Sequence, residues 1–295
     1  MNLFIAALGF SLASAAVIGL AAVSFTLQFA VSDIINLAAG EFLTLGAYLT
    51  YAARLIHIPL WPGALLAILV AGVLGVAVNH FCFRPLARRG VGPFSLMVVT
   101  FALSIIIQNM LVVIFGPSSF TLQFGGSTRA IALGAFVLTT AQLITIAVAV
   151  FAFAATWIVL HRTTFGISVR AVVNSPSLAR ASGIHLERIS DGAWFLAAAL
   201  GAVAGIALTV STSSADSQLG YNYLLYFMPA AFFGGMGKIT GAVIGAALVA
   251  FATTVGSLAI GSQYENVFAL GILVVVILIK PDGLMGTIRA PQVEH

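Results

Sequence analysis

The 295-residue chain carries only 7% Asp, Glu, Lys and Arg against 61% hydrophobic residues, and its mean hydropathy is +1.14. No soluble fold hides that much apolar surface, so the composition excludes an ordinary soluble enzyme and predicts an integral membrane protein. The net charge of +4 lies in short segments between apolar runs, where membrane topology accounts for it without nucleic acid.

In chain order, the first apolar run covers residues 3–29 and contains Ala13-Ser14-Ala15. No Lys or Arg precedes it, the first basic residue being Arg54, so it reads as a retained span and not as a cleaved signal. A span needs about 20 apolar residues. Candidates fall at 3–23, 37–51, 60–83, 94–115, 138–160, 193–210, 224–233, 242–260 and 267–279. The stretches before Gly234 and over 36–46 are too short or too interrupted for straight spans. The expected fold is therefore an all-α, polytopic bundle of roughly eight to ten crossings with interrupted helices, forming one transmembrane domain over residues 1–295. The lone Cys82, beside Phe81 and Phe83, excludes an intrachain disulfide and reads as a small lipid- or core-facing residue.

Arginines set the expected orientation. Arg84, Arg88 and Arg89 form one cluster, Arg162, Arg170, Arg180 and Arg188 a second, and Lys280 with Arg289 a third. All three should face the cytoplasm, and the charge-poor loops around Arg54 and Arg129 should face outside. Nine spans would then put the N-terminus outside and the C-terminus inside.

The segment 161–190 holds four of the arginines between two long apolar runs. Arg170-Ala171-Val172-Val173 either extends the preceding helix or forms its own turn. A start signal follows: Ser175 suits an N-cap, Pro176 suits the first helical position because its missing N–H would be unpaired there, and Gly183 supplies a left-handed stop. The helix between them, including Leu178, Arg180 and Ala181, has roughly two turns and needs packing to persist. Ala179, Ser182 and Gly183 give it a small-residue side suited to close contact, with Ile184 just beyond.

Two other stretches mark a candidate pathway. Asn36, Gly40 and Glu41 in the first, and Gly234, Gly235, Gly237 and Lys238 in the second, combine glycine with an ionisable residue inside apolar sequence. Such interruptions flank cavities in membrane proteins. A charge at membrane depth costs on the order of 3 kcal/mol, so Glu41 should face protein or water. It is either a helix-end carboxylate paired with a backbone N–H or Asn36, or part of a gate. Lys238 reads equally as a cytoplasmic loop lysine, and Asp33 as a helix-start cap.

No catalytic constellation is legible. His57, His80, His161, His185 and His295 lack zinc spacing, and Asp33 and Glu41 stand roughly 12 Å apart if helical. Gly237-Lys238-Ile239 is not a P-loop, because Ser or Thr is missing after the lysine and Phe232 replaces the first glycine. Energy for any active transport must come from another chain.

The run Phe165-Gly166-Ile167-Ser168-Val169-Arg170-Ala171, followed by Ala179-Arg180-Ala181-Ser182-Gly183-Ile184, resembles the cytoplasmic coupling segment of branched-chain amino acid ABC permeases, the LivH-type subunits. Asn36-Leu37-Ala38-Ala39-Gly40-Glu41-Phe42, continuing to Tyr48, is similar to the family's N-x-A-x-G-E-F-x-x-L-G-A-Y stretch. Gly234-Gly235-Met236-Gly237-Lys238-Ile239-Thr240-Gly241 resembles its glycine-rich motif, with Lys238 and Thr240 departing from the usual small polar residue and proline. Lys280-Pro281-Asp282-Gly283-Leu284-Met285-Gly286 resembles its closing R-P-x-G-L-x-G.

The resemblance implies a permease subunit of an ATP-driven importer in the bacterial inner membrane, moving a branched-chain amino acid or similar small solute and not itself an enzyme. It implies a second permease subunit, identical or paralogous, two ATP-binding subunits that hold ATP and Mg, and a periplasmic or extracytoplasmic solute-binding protein. Lipid surrounds it, no cofactor is expected in this chain, and the coupling residues would run from Arg170 through Ser175–Ile184. The reading of different class is a self-contained secondary transporter or channel for a small polar solute.

Overall fold

The computed structural model describes residues 2–122, 130–133, 136–279 and 283–285. Arg129, Lys280, Arg289 and His295 lie outside the described residues, as does most of the closing Lys280-Pro281-Asp282 motif. Helix α1 spans Asn2–Ser32, α2 Glu41–Leu55, α3 Leu60–Val78, α4 Arg84–Arg88, α5 Pro93–Phe115 and α6 Thr140–Arg162. Then follow α7 (Thr164–Asn174), α8 (Pro176–Ala181), α9 (Leu186–Thr212), α10 (Leu219–Gly234), α11 (Ile239–Ile260) and α12 (Glu265–Ile279). A π turn over Asn79–Phe83 joins α3 to α4, and a 3-10 turn over Leu37–Gly40 precedes α2.

Six helices among the described residues are long and apolar enough to cross a membrane. They are α1, α3 with its continuation to Arg88, α5, α6, α9 and α11. The shorter α2, α10 and α12 correspond to the brief or interrupted stretches of the sequence. Helices α1 and α9 form the buried centre, and α5 lies at the edge with most of its surface exposed. In the main core Leu20, Phe25, Leu43, Leu200 and Phe227 meet among alanines. Lipid is as apolar as leucine, so close packing of small side chains is what holds such helices together.

Two features differ from the sequence expectation. A short antiparallel hairpin, β1 (Ala130–Leu133) with β2 (Phe136–Thr139), precedes α6, pairing Ala130 with Thr139 and Leu133 with Phe136. Thr139 then caps α6, its hydroxyl accepting from Gln142 N–H at 3.2 Å while Gln142 Oε1 accepts from Thr139 N–H at 2.9 Å. This capping box sets the helix start two residues past the predicted 138. Asp33 does not start a helix. It follows the last residue of α1 with φ +53°, its N–H donating to Phe29 C=O, and so occupies a left-handed C-terminal stop.

Candidate functional site

The arginine clusters meet at one end of the bundle. Arg84 Nη2 lies 2.7 Å from Asp191 Oδ1, and Arg84 Nη1 lies 3.6 Å from Glu187 Oε2, while Arg88 also pairs with Glu187. Asn79 Nδ2, buried in the π turn, donates to the same Asp191 oxygen at 2.8 Å. These bonds join the α3–α4 corner to the first turns of α9. The sequence reading assigned both clusters to one side but missed the carboxylates between them.

The predicted short helix stands at this end as α8. Ser175 is its N-cap with φ −153°, its hydroxyl accepting from Leu178 N–H at 3.4 Å, and Pro176 takes the first helical position. Gly183 has φ +82°, with its N–H on Arg180 C=O and Ile184 N–H on Ala179 C=O, both at 3.0 Å. That pair of bonds satisfies two terminal carbonyls in a Schellman motif. Arg170 does not extend α6. It belongs to a separate helix, α7, capped by Thr163, and Arg170 Nη1 donates back to Leu160 C=O near the end of α6.

The contact face of α8 differs from the expected one. Ala179 is only 4% exposed and turned into the chain, so it holds α8 against its own protein and is not an open docking residue. Leu178 is 66% exposed and Ile167 of α7 is 58% exposed, and around Leu178 lie the exposed Pro176, Ser177, Arg180, Ala181, Ser182 and Gly183. The small-residue periodicity marked a packed side. One large apolar side chain is the exposed feature.

The candidate pathway residues fall into two separate places. Asn36 is buried, accepts from Ala38 N–H at 3.0 Å and donates to Gln28 Oε1 at 2.7 Å. Glu41 is buried and bonds neither to Asn36 nor to a backbone N–H in the described bonds. Its Oε1 accepts from Ser104 at 2.7 Å and from Gln108 at 2.8 Å, tying α2 to α5. A Cβ on Gly40 would stand 2.3 Å from Gly220 C=O, so here α2 and α10 meet backbone to backbone. Gly234, Gly235, Gly237 and Lys238 instead form the tight turn between α10 and α11, with φ +99° at Gly235 and +83° at Gly237. Lys238 occupies the N-cap position of α11. The structure does not bring the two groups together.

A cavity of about 380 Å³ opens at the end of the bundle opposite the arginines. Its walls come from the first half of α1, the end of α9 and the first turns of α6, α10 and α12, with Ser211, Thr212, Asp216, Asn222, Tyr226 and Glu265 among the lining side chains. None of the predicted pathway residues lines it. Sequence signals for it existed only as polar residues in the 211–222 stretch, and those read as an ordinary loop.

Residues 7–277 match the family model described as the branched-chain amino acid transport system / permease component. The chain belongs to this family. This permease is 26% identical to the high-affinity branched-chain amino acid transport system permease protein BraD of Pseudomonas aeruginosa, over 93% of the chain and 92% of the relative. It is 27% identical to LivH of Escherichia coli K12, again over 93% and 92%. A ribose import permease, RbsC of Haemophilus influenzae, is 28% identical but over only 46% of the permease and 43% of that relative. In fold the permease resembles a chain of PsaBC from Streptococcus pneumoniae, solved in complex with Fab, at TM-score 0.51 and 14% identity over 92% of this chain and 91% of that one. It is a multi-pass membrane protein, a transporter subunit and not an enzyme.

Proposed function

We propose that this permease imports a branched-chain amino acid or similar small solute across the bacterial inner membrane, driven by ATP that two partner subunits bind with Mg and hydrolyse. A second permease subunit, an identical copy or a paralogue, completes the membrane pathway, and an extracytoplasmic binding protein delivers the solute. The arginine end is the cytoplasmic face, as the excess of positive charge there favours, and the C-terminus lies on that side. The α7–α8 segment is the coupling element that sits in a groove of the ATP-binding subunit. Closure of those subunits moves α8 and tilts the attached spans, exposing the pathway alternately to each side.

The observation that carries this reading is Leu178, an exposed leucine on a two-turn helix fixed at both ends by caps and seated by Ala179. A large apolar residue on a rigid stub outside the bundle suits an anchor in a partner's pocket. The test is reconstitution of the full complex in liposomes with labelled leucine and ATP inside. ATP-dependent, binding-protein-dependent uptake is expected. ATP-independent uptake by this chain alone would overturn the reading in favour of a secondary transporter or channel.

A further inference from the structure

The cavity reaches the middle of the membrane. Ser104 is the central residue of the 23-residue α5, eleven positions from Pro93 and eleven from Phe115, and it holds Glu41 at 2.7 Å. Next to Glu41, Gly40 touches the backbone of Gly220, and Gly220 N–H donates at 3.0 Å to Thr44 Oγ1. Gly220 is the second residue of α10, so α10 begins at about the depth of Ser104. The connection from Ser213 to Gln218 therefore descends from the end of α9 into the bundle. Non-helical backbone at such depth is tolerated only where it is buried in protein or lines a water-filled space. Ser213, Ser214, Asp216 and Gln218 are exposed on this connection, which makes the space aqueous.

The walls of this space carry a single sign of charge. Asp216 and Glu265 line it, and no Lys, Arg or His does. Asp216 Oδ1 accepts from Gln218 N–H at 3.0 Å, a bond that fixes the carboxylate on its turn. Low-dielectric walls around a cavity focus the field of such charges along its axis.

We propose that this cavity is the outer vestibule of the permease, and that Asp216 and Glu265 make it selective for solutes bearing an ammonium group over anions of similar size. The proposal deepens the import reading, on which its orientation rests. The neutral hydroxyls and amides of Ser211, Thr212 and Asn222 are available to a solute's remaining polar atoms, so a zwitterion enters with its ammonium toward the acids, whereas the matching keto acid meets only repulsion.

The test uses the assembled transporter in liposomes, with Cys82→Ser as background and Asn222→Cys as reporter. Two membrane-impermeant thiol reagents are added from outside, trimethylammonium-ethyl and sulfonato-ethyl methanethiosulfonate. Their rate ratio at residue 222 is normalised to that at Ser118→Cys, an exposed residue outside this cavity. A cation preference about tenfold above the control is expected from field focusing, falling toward the control in Asp216→Asn with Glu265→Gln. A normalised ratio near one, a ratio unmoved by the double variant, or no labelling from outside would overturn the assignment. Ser214→Cys serves as a second reporter should Asn222→Cys fail to assemble. Labelling is read without transport, so the result stands apart from whether the complex takes up leucine.

Discussion

Gln108 Nε2 donates to Glu41 Oε1 at 2.8 Å, placing an amide from α5 on a carboxylate at the first turn of α2. Helix α5 is otherwise mostly exposed, so this bond, the Ser104 bond and the bond from Leu37 N–H to Thr100 Oγ1 at 3.0 Å are its main polar ties to the bundle. Glu41→Leu removes the acceptor and leaves two side-chain donors short of a partner. A loss of about 1–3 kcal/mol is expected. Glu41→Gln retains an oxygen acceptor and should cost less. Thermal unfolding of the purified complex in detergent checks the order, and equal stability of wild type and Glu41→Leu would show that the tie contributes nothing.

Close backbone contacts make a sharper prediction. A Cβ on Gly220 would stand 1.8 Å from Gly40 C=O, and the obstacle is backbone, which cannot swing aside. Gly220→Ala should therefore separate α2 from α10 and abolish accumulation of folded protein. Gly271 in α12 is the control, because a Cβ there meets nothing within 4 Å. Gly271→Ala should be neutral or stabilising by about 0.5–1 kcal/mol, since alanine favours the helix. Membrane yield and size-exclusion profile distinguish the two.

Legibility followed the range of the signal. Ser175, Pro176 and Gly183 act through bonds within a few residues, and the sequence located all three in their capping roles. Ser104 and Gln108 lie more than sixty positions from Glu41, and nothing local in a run of isoleucines identifies them as its partners. For the same reason Ala179 was legible as small but not as buried, since its side is decided by how α8 sits on α7. The outer cavity was least legible, because its lining comes from the starts and ends of several helices.

The Asp191 cluster yields a test of the cytoplasmic corner. Asp191 Oδ1 receives both Arg84 Nη2 at 2.7 Å and Asn79 Nδ2 at 2.8 Å, so Asp191→Asn leaves a part-buried guanidinium without its closest anion. Arg84 is 14% exposed and Asp191 26%, which keeps solvent screening incomplete. A loss of about 1–3 kcal/mol is expected, below the range for a fully buried pair. Arg84→Met alone should cost a similar amount, and the double variant less than the sum. Additive losses in this double-mutant cycle would show that the pair is not coupled.

Exposure separates the two α8 residues that sequence alone treats as one edge. Ala179→Asp would bury a carboxylate beneath α8 and should disorder the segment itself, so a coupling defect in that variant says little about a partner's groove. Leu178→Asp changes a residue that is 66% exposed and leaves the Ser175 cap and the Gly183 stop in place. Membrane insertion and thermal stability should stay within about 0.5 kcal/mol of wild type, as for other surface changes. Truncating a buried anchor costs 2 kcal/mol or more, on the order of 30-fold in affinity, so co-purification of the ATP-binding subunit should fall by at least tenfold. Leu178→Met, which keeps an apolar side chain of similar volume, should restore most of the association. Full ATPase recovery with Leu178→Asp would move the docking surface away from α8.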